Sequence, residues 1–345
     1  MESSLPKDIK AYYDHKRFPE IWQAIMGCAL MTFVPIIPME IMNLLSGGDY
    51  TDIFRTEFGE SMFNGILSQF FALLIIPLFF ILIAKKDMKA TLRLKKNIDF
   101  VQILLLFFIS VGLFFLIQYI NAIFIQSLQT FMGEPSDAAN LKAAESLPQL
   151  MFEIVIAAGL PAICEEIFYR GFVLRSFERY SPLAAIILSS LTFAIMHGNL
   201  QQLIYAFILG LVLSTVTMLT DSLLASSFMH FTLNATSVLL TYPPVFAIYE
   251  SFVTKHSIIF LAITMILLPL IGVGALTLFI FYTRNKNKRL YNKSFVSELD
   301  APELMPKQKG TKTALTVIFW IIFILINVIS MLSLWYYDVI MEPIV

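Results

Sequence analysis

Residues 147–172 read LPQLMFEIVIAAGLPAICEEIFYRGF, and this stretch decides the fold. From Leu147 to Cys164 the only charge is Glu153. The run is continuous and longer than the roughly 18–20 apolar residues that cross a bilayer. It then ends in three ionisable groups, Glu165, Glu166 and Arg170. Charged groups at membrane depth are costly, so they stand there for a function or for each other. On a helix Glu166 and Arg170 are four apart and share a face, with the acid N-terminal, which makes a natural ion pair. Glu165 points about 100° away and is left without that partner, able to face a cavity. Pro161, four residues earlier, removes a backbone donor and predicts a kink beside the site.

Comparable runs recur along the chain. The sequence predicts an all-α polytopic transmembrane bundle of eight to nine spans. Nine are read, near 21–45, 62–84, 100–125, 147–172, 182–197, 200–219, 222–242, 257–282 and 314–337. Composition agrees: 58% of the 345 residues are hydrophobic and 14% charged, at a mean hydropathy of +0.76. A transmembrane β-barrel would show short alternating segments instead. The net charge of −1 gives no bias towards nucleic acid. The two cysteines, Cys28 and Cys164, lie in apolar runs and form neither a disulfide framework nor a C-x-x-C site.

The connecting segments alternate in charge. Lys7, Lys10, Lys16 and Arg17 precede the first span, and Asp49, Asp52, Glu57 and Glu60 follow it. Lys85, Lys86, Lys89, Arg93, Lys95 and Lys96 follow the second, and Glu134, Asp137 and Glu145 the third. Arg175 and Arg179 follow the fourth, and a basic segment from Arg284 to Lys312 follows the eighth. Positive charge favours the cytoplasmic side, so the N-terminus is expected in the cytoplasm. The polar N-terminus has no small-residue cleavage site and does not read as a removable signal. The organisation expected is a bundle over 1–283 with a core near 147–242, a basic cytoplasmic loop over 284–313, and an added C-terminal span over 314–345. A plasma membrane, that of a prokaryote, suits this simple topology.

Two further polar pairs sit in apolar spans. Phe193 and His197 are four apart, as are His230 and Asn234. Either histidine alone could pack a core, and His with Asn can bridge membrane helices. Taken with Glu165, they supply another chemistry. If the spans before and after Tyr180–Ser181 form a hairpin, Glu165 and His197 each lie about 22 Å from the turn at 1.5 Å per residue, and so are level. That requires the fourth span to stay helical past Phe172. A buried carboxylate suits a general base. An imidazole can share that work or protonate a leaving amine. A His beside an Asn can donate to a developing oxyanion. This is the inventory for amide hydrolysis by activated water, with no serine or cysteine nucleophile.

Glu165-Glu166-x-x-x-Arg170, Phe193-x-x-x-His197 and His230-x-x-x-Asn234, in this order on successive spans, resemble the three-motif signature of the CPBP (CAAX protease and bacteriocin-processing, or Abi) family of intramembrane endopeptidases. The resemblance covers roughly residues 147–240. It implies that Glu165 activates water with help from His197, that His230 and Asn234 form an oxyanion site, and that Glu166, Arg170 and Phe193 shape the site. The substrate would be a membrane-associated peptide or protein, prenylated CAAX proteins being one known kind. Metal-free hydrolysis is favoured, with no cofactor required. A Zn²⁺ site is the alternative, its candidate ligands Glu165, His197 and His230. The competing functions are a non-catalytic membrane partner or bacteriocin-immunity scaffold of the same fold, and a proton-coupled transporter. The last lacks the related halves such transporters show.

Overall fold

The computed structural model describes residues 19–33, 40–41, 44, 57–94, 98–133, 144–178, 181–291 and 310–341. Every regular element among them is helical. The charged tail before residue 19, most of the first loop, the acidic residues at 134 and 137, the turn at 179–180 and the basic residues 292–309 lie outside the described residues.

Helix α1 is Ile21–Phe33. Helix α2 (Glu57–Leu67) runs through a π-helical stretch, Ser68–Ile75, into α3 (Ile76–Ile83). A short α4 (Met88–Thr91), capped by Asp87, leads to α5 (Phe100–Met132). Helices α6 (Leu147–Glu153), α7 (Leu160–Glu165) and α8 (Leu174–Phe177) form one rod, joined by π-helical Ile154–Gly159 and Glu166–Val173. Then come α9 (Pro182–Ile195), α10 (Leu203–Thr220) and α11 (Leu223–Thr241). Helices α12 (Pro243–Lys255), α13 (Ser257–Leu261), α14 (Leu268–Tyr291) and α15 (Gly310–Met341) complete the order.

Among the described residues six helices are long and apolar enough to cross a membrane: 58–83, 100–132, 147–177, 203–220, 223–241 and 257–287. Three shorter apolar helices, 21–31, 182–195 and 320–336, fall where the other expected spans were read. The helical rod does continue past Phe172, to Phe177. The loop expected over 284–313 is helical at both ends, since α14 reaches Tyr291 and α15 begins at Gly310. Hydropathy alone misses such polar last turns, where basic side chains suit the negative end of a helix. Helix α12 was not read from the sequence. Pro243 and Pro244 sit at its start, where a missing N–H costs nothing.

The rod sits at the centre. Phe168 and Phe172 are fully buried, and the rod packs against α9, α11, α3 and the π-helical stretch of the second span. Outward faces are apolar, with Phe79, Leu82, Ile123 and Ile258 exposed, as a lipid-facing surface requires. Helices α5 and α14 cross with their backbones in contact. A Cβ on Gly112 would come within 2.5 Å of Gly272 Cα, so only glycine fits there.

At one end of the bundle three buried charges, Arg93, Arg175 and Glu178, form a clamp with the partly exposed Asp221. Arg93 pairs with Glu178 and lies 3.6 Å from Asp221. Arg175 bonds Glu178 at 2.9 Å and lies 3.8 Å from Asp221. Arg93 also donates to Thr217 O at 3.1 Å, and Arg175 to Ala90 O at 3.3 Å. Both Arg93 and Asp221 adopt positive φ, 54° and 50°, a conformation that costs a non-glycine residue about 1–2 kcal/mol. The clamp thus ties three chain reversals together. Next to it Asp99 caps α5 and receives Lys286 Nζ at 2.8 Å and Tyr282 Oη at 3.0 Å from α14. Partial burial opposes ionisation of Asp99. These bonds and the Gln102 N–H outweigh it and hold the carboxyl below the usual range.

Candidate active site

Pro161 shapes the rod beside the site. It has no N–H, so the carbonyl of Ala157 loses the donor that an α-helix would place four residues on. Asn234 on α11 donates to that oxygen instead, Nδ2 to O at 3.3 Å. The departure from α-geometry expected at Pro161 is seen as π-helical turns on either side of it, a form that often marks functional sites.

The predicted ion pair is present. Arg170 Nη1 donates to Glu166 Oε1 at 2.7 Å, and both side chains are fully buried. The same oxygen receives His230 Nδ1 at 2.9 Å. A carboxylate paired with Arg170 can only accept, so Nδ1 carries the hydrogen. The other ring nitrogen, Nε2, then lies 3.8 Å from Glu165 Oε2. His230 therefore stands between the two glutamates. Glu165 keeps 13% of its side-chain surface exposed, whereas Glu166 keeps none. Among the described residues Arg170 finds no hydrogen-bond acceptor for Nε or Nη2, and it lays its guanidinium over the Phe193 ring, 4.4 Å from the centroid. Such a contact is worth about 2 kcal/mol when desolvated.

Phe193 is the common neighbour of the cluster. Its ring meets His197 edge-on at 4.8 Å, His230 at 6.0 Å and Tyr169 at 5.0 Å. His197 lies just past the end of α9, where Gly198 at φ 74° turns the chain. A residue with a Cβ would be strained at that angle. The Nδ1 of His197 bonds the Phe193 carbonyl at 2.7 Å, and a carbonyl only accepts, so its Nε2 is left as an acceptor. Thus Glu165, Glu166, Arg170 and His230 are linked directly, His197 joins them through Phe193, and Asn234 lies one helical turn along α11. One of the two Asn234 amide hydrogens is used on Ala157.

Two neighbours escaped the sequence reading. Gln69, in the π-helical stretch of the second span, donates from Nε2 to Glu165 Oε1 at 2.9 Å. An amide inside an apolar run was the available signal. Tyr169 packs on Phe193 and points its hydroxyl at Met31 Sδ, 3.6 Å away. Its position beside Arg170 in an aromatic run carried no separate signal. Cys164 and Cys28 are buried in the core, as packing residues should be.

Among the described residues no three His, Cys, Asp or Glu side chains form a group that would hold a metal ion. The nearest candidates, Glu165 and His230, make a pair, not the three-ligand set that Zn²⁺ requires of a catalytic site.

Residues 147–236 match a family model described as Rce1-like, type II CAAX prenyl endopeptidase Rce1-like. Neither the curated proteins nor the solved structures give a match. The matched residues contain Glu165, Glu166, Arg170, Phe193, His197, His230 and Asn234, and so the whole sequence-predicted site.

Proposed function

We propose that this chain, whose residues 147–236 match the Rce1-like family model, is an intramembrane protease that hydrolyses a peptide bond of a membrane-associated protein or peptide through its glutamate and histidine side chains. A CAAX-type C-terminal segment is the first substrate class to try, because the matching family is described by that activity. The class of protein, an integral membrane protease, rests on that match and on the apolar helices. The charge alternation supports an N-terminus in the cytoplasm, and the simple topology suits the plasma membrane of a prokaryote.

The observation that carries the mechanism is His230 held between Glu166 and Glu165, at 2.9 and 3.8 Å. In this reading Glu165 takes a proton from a water whose oxygen attacks the substrate carbonyl carbon. The carbonyl electrons move onto oxygen. His230 Nε2–H and the remaining Asn234 amide hydrogen stabilise that charge. The carbonyl then re-forms as the carbon–nitrogen bond breaks, and the departing amine takes the proton that Glu165 accepted, with His197 assisting the transfer. For His230 to donate from Nε2 while Nδ1–H is on Glu166, the ring must carry both protons. Arg170 and Glu166 hold the imidazole, and Phe193 keeps both histidines in place.

The test is cleavage of a quenched-fluorescence peptide panel, including a farnesylated CAAX peptide, by full-length protein in detergent. The proposal expects cleavage by the wild type, loss in Glu165→Gln, and retention in a strong chelator. Loss on chelation with recovery on adding Zn²⁺ would replace the metal-free mechanism. A folded wild type that cleaves nothing would overturn the protease reading in favour of a binding role.

A further inference from the structure

Glu165 is also approached from outside the segment that the family model matches. Gln69 belongs to the apolar span 58–83, and an amide in such a run is costly unless it is bonded. Its Nε2 donates to Glu165 Oε1 at 2.9 Å. An ionised carboxylate only accepts, so the amide nitrogen must be the atom that faces it. The amide oxygen, Gln69 Oε1, is then left buried with no hydrogen-bond partner among the described residues. A buried acceptor in that state calls for a donor from water or from a ligand. The backbone around it is π-helical, as it is on the facing rod, and the two stretches pack together. Glu165 thus has one oxygen held by Gln69 and the other turned towards His230 Nε2.

We propose that Gln69 is a positioning residue of the hydrolytic site, holding Glu165 through Nε2 and accepting a hydrogen bond from the lytic water through Oε1. This rests on the protease reading above. In the step, the water gives one proton to Glu165 while its oxygen bonds to the substrate carbonyl carbon. Its second O–H stays on Gln69 Oε1, and Gln69 is neither protonated nor consumed. A residue with this duty acts on the rate of chemistry and not on substrate binding, because it is satisfied only when water and Glu165 are aligned.

The experiment compares wild type with Gln69→Met, which keeps length and apolar volume but removes both polar atoms. Cleavage of the same peptide panel is measured in detergent. Thermal unfolding is followed for wild type, Gln69→Met, Glu165→Met and the double variant. The expected result is a fall in kcat of about 10–100-fold with KM within about two-fold of wild type. The two unfolding shifts should be non-additive, because each substitution removes the same bond. An unchanged kcat in a cleaving protein, or additive shifts, would overturn the proposal. A wild type that cleaves nothing defeats the protease reading instead. The unfolding cycle then decides alone, with additive shifts removing Gln69 from the site and non-additive shifts keeping it.

Discussion

Among the described residues stand two largely buried networks of charge, and they are built to different rules. The clamp at the end of the bundle joins Arg93 and Arg175 to Glu178 and Asp221, two cations to two anions. The intramembrane cluster joins Glu165 and Glu166 to one guanidinium, that of Arg170, with His230 between the two acids. Among the described residues the first sets two charges of each sign against one another, and the second sets two acids against one guanidinium with an imidazole between them. An unbalanced buried carboxylate is costly for a network that serves stability alone. The hydrolysis proposed for the second network would use it, because a water proton must be taken up and passed on in each turnover.

The contrast breaks first at Glu165. Replacing it with Gln should cut the turnover of any cleaved peptide by about 10²–10⁴-fold, with little loss of folded protein. Equal loss of activity and of folded yield would put Glu165 in the same structural class as the clamp. Glu178→Ala should do the reverse. It leaves Arg93 and Arg175 short of their shared carboxylate and should destabilise the protein by about 3–5 kcal/mol in thermal unfolding, with kcat of the surviving folded fraction unchanged. Asn234→Ala sharpens the boundary between the two rules. It should lower stability by about 1 kcal/mol, by orphaning the Ala157 carbonyl, and also lower kcat. In a Pro161→Ala background the stability part should shrink, because the substituted alanine supplies its own N–H, while the kcat part should persist. The smallest effect is at Asp99. Its carboxyl titrates lower when folded than when unfolded, so its contribution is present above the ordinary Asp range near pH 3.9 and fades as pH falls through and below it. Asp99 is about one-third exposed, so Asp99→Asn should cost under about 1 kcal/mol at pH 7, and the difference should vanish in acid.

Much of this was legible in the sequence, for definable reasons. Membrane helices must satisfy every backbone group internally, so a long apolar run permits one structure, and each stretch read as a span contains a helix. The Glu166–Arg170 pair followed from helical spacing alone. The meeting of His230 with Glu166 depended on two helices that are 64 residues apart in the chain, and only the shared cost of burying both groups hinted at it. The clamp was not legible. Arg93 and Arg175 read as topology-setting loop charges, and nothing local says that their turns fold back over Glu178 and Asp221. Gln69 was missed because an amide carries no formal charge, though its surroundings made it as conspicuous as a charge. The use of Asn234 on Ala157 could have been read from Pro161 once the two helices were known to touch.

Phe193 offers a use beyond its packing. One ring touches the guanidinium of Arg170 and the rings of His197, His230 and Tyr169. A single fluorine on that ring would therefore give one NMR resonance whose shift reports the electrostatic state of the whole centre. It would let protonation and substrate arrival be watched in real time from one nucleus.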